Sequence, residues 1–138
     1  MMKKIIYICL LLSLFSCERI FINGNLDGMW RLECVESENA AVYPENIFYS
    51  FQRHLAMIGI YSETKHPQNF YMGCFVFEDG FITMDNFYRY PGMSGDCVPS
   101  ELENLYIYDV VVKFEVEHLS SNKLVMTCSD LRYTFRKW

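Results

Sequence analysis

Apolar and polar residues alternate along most of this chain with the period of two that belongs to a half-buried β-strand. Over residues 28–35, Trp30, Leu32 and Cys34 share one face while Arg31 and Glu33 take the other. Residues 36–45 are polar and carry Pro44, which predicts a loop. Residues 47–61 predict one long strand, with Ile47, Tyr49, Phe51, Leu55 and Met57 on one parity and Ser50, Gln52 and His54 on the other. Arg53 interrupts the apolar parity, and by Ile58 and Ile60 both faces are apolar, which suits a bulge or a barrel corner. A turn around Pro67 leads to residues 70–77, where Tyr71, Gly73, Phe75 and Phe77 fall together. Asp79-Gly80, set between two such runs, is a strong hairpin signal into residues 81–85.

Residues 86–99 are harder to read. Phe87-Tyr88-Arg89-Tyr90 has the composition of a further strand, and Pro91-Gly92-Met93-Ser94-Gly95-Asp96 that of a loop. Ser100-Glu101-Leu102-Glu103, after Pro99, has the form of a capping box and predicts a helical turn or two up to about Leu105. The end of the chain is a clear meander. Val110, Val112, Phe114 and Val116 alternate with Val111, Lys113, Glu115 and Glu117; Leu124, Met126 and Cys128 with Val125 and Thr127; Tyr133 and Phe135 with Arg132, Thr134 and Arg136. Seven to eight strand-like runs follow one another with no helical pattern long enough to cover a sheet. The prediction is an all-β, antiparallel up-and-down barrel of about eight strands over residues 26–138, a closure that leaves no edges. A β-sandwich makes the same strand prediction and differs in whether the strand of Trp30 meets the last one.

The first residues have a different pattern. Lys3 and Lys4 precede an uncharged, mostly apolar run from Ile5 to Phe15, which is too short to span a bilayer as a helix and reads as a secretory signal over residues 1–16. The run ends in Leu14-Phe15-Ser16-Cys17, which resembles the bacterial lipoprotein signal. That resemblance implies cleavage before Cys17 and lipidation of its thiol, so that acyl chains hold the protein to a membrane. Residues 17–25 would be the lipidated N-terminus and a short linker whose Ile20, Phe21 and Ile22 keep the domain near the membrane surface. Glu18, where an aspartate would resemble an inner-membrane retention signal, points to the outer membrane of the cell envelope.

Gly28-x-Trp30 at the start of an all-β chain resembles the G-x-W motif of the lipocalins, and the layout is similar to the small lipocalin-like lipoproteins of Bacteroidetes-type bacteria. The central T-D-x motif of lipocalins has no counterpart. The resemblance implies a lipocalin-like barrel in which Trp30 plugs the closed end beside Gly28. It also implies a basic residue of the last strand, Arg136 or Arg132, packed over the ring, a cation–π contact of about 0.5–2 kcal/mol.

Composition narrows the function. Aromatic residues make up 17% of the chain, which favours strands. Twelve Lys and Arg stand against 17 Asp and Glu, and loss of Lys3 and Lys4 with the signal makes the mature chain more acidic still; phosphate backbones and anionic lipid both repel such a surface, which makes nucleic acid a poor partner and leaves the anchor, not electrostatics, to hold the chain to a membrane. Beyond Cys9 and Cys17, four cysteines remain, Cys34, Cys74, Cys97 and Cys128, with no C-x-x-C; they are disulfides or buried thiols, and no metal site or cofactor follows from their spacing. His54, His66 and His118 are scattered, Ser94 lacks the nucleophile-elbow context, and the pairs Glu101/Glu103 and Glu115/Glu117 look solvated, so a non-catalytic protein is expected. The remaining candidate is the inward set Trp30, Leu32, Phe51, Tyr71, Phe75, Phe114, Val116, Met126, Tyr133 and Phe135. An eight-stranded barrel either fills itself with such side chains or holds one small ligand. Two functions follow: binding of a small hydrophobic or amphipathic molecule inside the barrel, or, with a filled barrel, contact through the loops with another envelope protein or a secreted enzyme that it inhibits.

Overall fold

The computed structural model describes residues 22–61, 67–90 and 97–138. The expected signal segment, Cys17, His66 and Ser94 lie outside them. After a 3-10 turn at Gly24–Leu26 the described residues form nine strands: β1 (Gly28–Glu36), β2 (Ala41–Val42), β3 (Ile47–Gln52), β4 (Leu55–Tyr61), β5 (Pro67–Glu78), β6 (Phe81–Tyr90), β7 (Val112–Leu119), β8 (Lys123–Cys128) and β9 (Leu131–Lys137). Between β6 and β7 lie a one-turn helix α1 (Pro99–Leu102) and a 3-10 turn (Glu103–Leu105). Each strand from β3 onward pairs antiparallel with the next, and β9 returns to β1, with Trp30 opposite Lys137 and Leu32 opposite Phe135. The sheet is thus closed, and the β-sandwich alternative falls.

Residues 47–61, expected as one strand, form a hairpin. Arg53 takes φ +57 and, with His54, turns the chain back so that Gln52 faces Leu55. The turn also resets the parity: Ala56 and Ile58 go inward, whereas Leu55 is exposed and Met57 half-buried. Arg53 in the apolar row marked a reversal. Asp79 and Gly80, both at positive φ, make the hairpin that the Asp-Gly pair predicts.

Bulges account for the other parity changes. An extra residue in β1 between Leu32 and Cys34 turns Cys34 away from the interior and Val35 into it. In β6, Asn86 at φ +52 sits where Met72 and Cys74 face Tyr88 and Asp85, and this lets β6 run on through the aromatic segment 87–90 as a single strand. The loop of residues 36–45 contains the two-residue β2, paired with β1 at Val35 and Glu36. The helix begins two residues earlier than the Ser100 reading: Val98 is the cap, its N–H donating to Glu101 Oε2 at 3.0 Å while the Glu101 N–H returns to the Val98 carbonyl. Pro99 takes the first helical position, where a missing N–H costs nothing.

Candidate functional site

An up-and-down barrel has two ends. The turns at Arg53-His54, Asp79-Gly80 and Ser120–Asn122 gather with the start of β1 and the end of β9 at the base; the longer connections and the turn at Ser129-Asp130 gather at the mouth.

At the base, Trp30 is fully buried and its Nε1–H donates to the Leu26 carbonyl at 2.8 Å, so the 3-10 turn is drawn under the ring. Asn23 clips that turn to the barrel, with Nδ2 donating to Asp27 Oδ1 at 2.7 Å and to the Arg53 carbonyl at 2.9 Å. The cation over Trp30 is Lys137, with Nζ 4.3 Å from the ring centroid, donating to the Asn25 carbonyl at 2.9 Å and to that of Asp27. This corrects the expectation of Arg136 or Arg132, and the reason is parity. Tyr133, Phe135 and Lys137 share the inner face of β9; Arg136 is 70% exposed with Glu33 3.9 Å away, and Arg132 lies on the outer wall between Glu36 at 3.2 Å and Glu117 at 2.9 Å. Burial lowers the pKa of Lys137, against the opposing pull of Asp27. Gly28, at φ +125, leaves the space through which the lysine passes: a Cβ there would stand 2.8 Å from Lys137 Cε.

The ten inward candidates all belong to the interior. Trp30, Leu32, Phe51, Phe75, Phe114, Met126, Tyr133 and Phe135 are buried in one cluster, and Tyr71 and Val116 pack against it half-buried. The rings touch edge to face, Phe51 on Phe75 at 5.1 Å and Phe114 on Tyr133 at 5.2 Å, the geometry that aromatic quadrupoles favour. Trp30, Leu32, Tyr49, Ile58, Ile82, Met84, Phe114 and Phe135 expose no surface to a water-sized sphere, so no water-sized void adjoins them.

The mouth is occupied by the segment between β6 and β7. Leu102, Leu105 and Ile107 are buried in the same cluster as the wall. Two tyrosines of the wall hold it: Tyr49 Oη donates to the Leu105 carbonyl at 2.5 Å and Tyr133 Oη to that of Tyr106 at 2.7 Å. Burial pushes both phenol pKa values well up, which keeps the donors protonated. The segment ends in a Schellman motif, with Ile107 N–H bonded to the Leu102 carbonyl at 3.2 Å and Tyr106 N–H to that of Glu103 at 3.0 Å. Tyr106 takes the left-handed position, φ +62, usually left to glycine. An Arg89–Glu101 ion pair at 3.3 Å and a Cys97 N–H bond to the Phe87 carbonyl at 3.1 Å tie the segment to β6, whose pairing with β7 spans only residues 81–84. Sequence reasoning named none of Tyr49, Leu102, Leu105, Ile107 or Lys137 as a site residue. The i, i+3 spacing of Leu102 and Leu105 behind Pro99 was the available signal.

Elsewhere the candidate acid groups are solvated. Glu115 and Glu117 are exposed, the latter paired with Arg132, and Glu101 is used in the cap and the Arg89 pair. Cys34, Cys74 and Cys128 stand as thiols on β1, β5 and β8, and Cys97 is buried beside β6. Among the described residues, concavities on the outer surface include one of about 690 Å³ between Arg31–Cys34 of β1 and residues 43–46, one of about 410 Å³ between Tyr108–Lys113 and the Ser129 turn, and one of about 270 Å³ beside the Asp79 turn.

The family model for a lipocalin-like domain matches residues 10–138. Among solved structures, a lipocalin-like protein from Bacteroides uniformis superposes with a TM-score of 0.66 at 19% identity, covering 83% of this chain and all of that one. An uncharacterised protein from Bacteroides eggerthii gives the same score and identity over 82% of this chain and 99% of that one. A protein from Burkholderia xenovorans is more distant, at 0.54 and 17% over 82% of this chain and 83% of that one. No curated protein matches. The family match, the closed antiparallel barrel and the indole-plugged base agree: the chain belongs to the lipocalin-like domain family.

Proposed function

We propose that this is a non-catalytic lipoprotein of the cell envelope, lipidated at Cys17 and held to the outer membrane, whose barrel binds a small hydrophobic or amphipathic molecule at the mouth in exchange for the Leu102–Leu105–Ile107 plug. The observation that carries the reading is that the mouth is stopped by apolar side chains of an insertion rather than by strand pairing. Exposing three such side chains costs about 5–9 kcal/mol, at 1.5–3 kcal/mol each. A ligand that buries the same apolar area breaks even, and one that buries more displaces them. The phenols of Tyr49 and Tyr133, released from the plug carbonyls, then orient its polar end.

Fluorescence titration of the delipidated domain with dansyl-undecanoic acid tests this. Saturation at one probe per chain is expected. Leu105→Ala, which weakens the plug by about 2 kcal/mol, tightens binding by roughly tenfold or more. Absence of saturable binding in both proteins removes the ligand reading.

One observation favours a second reading, a filled barrel that contacts another envelope protein through its loops. Val42, Tyr43, Tyr90, Val98, Tyr108 and Val111 are exposed apolar residues, and all stand at the mouth. Loss of partner capture on Tyr43→Ser with Tyr108→Ser, with probe binding absent throughout, is the outcome that selects it.

A further inference from the structure

The base of the barrel carries a feature that ligand binding does not use. The inference drawn from it rests on the reading of Cys17 as the lipidated residue. From Cys17 to Ile22 the chain advances five residues, which reach at most about 17 Å fully extended. Ile22 leads directly into the Gly24–Leu26 turn beneath Trp30, so the tether ends at the base and not at the mouth. Whatever the tether's path, the base is the end that it keeps near the headgroups.

Exposed apolar residues stand there, Leu55 after the Arg53-His54 turn among them. Ile22 is 54% exposed and Trp138 is 72% exposed. Trp138 does not hang free: its N–H donates to the Met29 carbonyl at 2.9 Å, and its ring meets Phe48 edge-on at 5.2 Å. The Arg31 guanidinium lies 5.9 Å from the same ring. An indole fixed in place, with one face on the wall and the other in water, loses little freedom when that outer face is covered. Indole is also the side chain best suited to the boundary between headgroup and acyl chain.

Charge is unevenly divided between the two ends. Around the base the exposed cations Arg53, Lys123 and Arg136, the last 3.9 Å from Glu33, stand against the exposed acids Glu78, Asp79 and Glu115, so that this rim is close to neutral. Around the mouth, Glu38, Glu45, Glu103, Asp109 and Asp130 are exposed acids, while Arg89 and Arg132 are taken up in ion pairs. An anionic surface therefore repels the mouth and tolerates the base, within the roughly 8 Å over which such fields act at physiological salt.

We propose that the base docks on an anionic bilayer surface, with Trp138 and Ile22 at headgroup depth and the mouth held facing away from the membrane. The docked face is the rim of the base, from Ile22 to the foot of the outer wall at Trp138, and the occupant is lipid.

The test uses the mature, full-length lipidated chain in vesicles of phosphatidylethanolamine and phosphatidylglycerol with brominated acyl chains. Docking predicts a blue-shifted emission, quenching by the bromines and at least threefold protection from aqueous acrylamide relative to unlipidated Cys17→Ser. Trp138→Phe, which leaves only buried Trp30, loses that response, and Lys123→Glu with Arg136→Glu reduces it several-fold. Flotation with the vesicles while Trp138 stays as accessible as in Cys17→Ser overturns docking and leaves the anchor intact. Protection that instead follows protein concentration in the Cys17→Ser form, without vesicles, assigns the face to a second copy and also overturns it. A mature mass without acyl chains on Cys17 overturns the anchor reading, and docking goes with it.

Discussion

The base of this barrel is closed by Trp30 of β1 and Lys137 of β9 over the Gly24–Leu26 turn, the mouth by chain that lies outside the strands, and the chemistry differs. Beneath Trp30 the closure is polar and charged: an indole N–H to a carbonyl, an ammonium over the ring and an asparagine clip, all drawn from residues next to the ends of β1 and β9. At the mouth the closure is apolar, three aliphatic side chains with two phenol bonds at their edge, borrowed from an insertion between β6 and β7. A directional cap cannot be exchanged without leaving buried partners unpaired, whereas an aliphatic one can be replaced by any molecule of similar surface. On the reading proposed above, the base is the end that holds and the mouth the end that trades.

The sharpest way to break that contrast is Trp30→Ala. It should cost about 3–5 kcal/mol in urea unfolding, because the ring, its bond to Leu26 and the seat of Lys137 go together. Leu105→Ala at the mouth should cost less, about 2–3 kcal/mol, and should leave the near-ultraviolet dichroism of the barrel aromatics in place. Equal losses at both ends would erase the distinction. Lys137→Met should cost about 2 kcal/mol, from the cation–π contact and two bonds to carbonyls.

Titration tests the phenols. Burial raises the pKa values of Tyr49 and Tyr133 in the folded chain, so between the ordinary tyrosine value near pH 10 and those raised values the folded state holds protons that the unfolded state has lost. Stability is then full below about pH 10 and falls as pH rises beyond it. Replacing both tyrosines by Phe should flatten the fall in unfolding free energy. Lys137 has the opposite sign, since its lowered pKa makes its contribution improve with pH up to about 10.4; the comparison is therefore made above that value. The smallest effect expected is that of Arg136→Ala, under about 0.5 kcal/mol for an exposed side chain 3.9 Å from Glu33. A larger loss would return Arg136 to the Trp30 ring.

The period of two, the Asp-Gly turn and the terminal meander made most of the barrel legible, because each is a local rule that tertiary packing reinforced. Three features escaped for a common reason. The Arg53 hairpin, the β1 bulge and the β6 bulge each insert a positive φ or an extra residue, and a parity count carried past such a point assigns the wrong face. The cation over Trp30 escaped for another reason: the resemblance points to Arg136 or Arg132, whereas the period of two through Tyr133 and Phe135 places Lys137 on the inner row. The plug was illegible for a different reason. Leu102 and Leu105 look like an ordinary short helix until the distant Tyr49 and Tyr133 show where that helix sits.

The pairing of Trp30 with Lys137 joins the two ends of the domain across more than a hundred residues. Until β9 has left the ribosome, β1 has an unpaired edge and Trp30 has no cation above it, so no partial chain can close. Such long-range closure places folding in the millisecond-to-second regime rather than the microsecond one. A chain cut before Leu131 should therefore remain an open, protease-sensitive sheet.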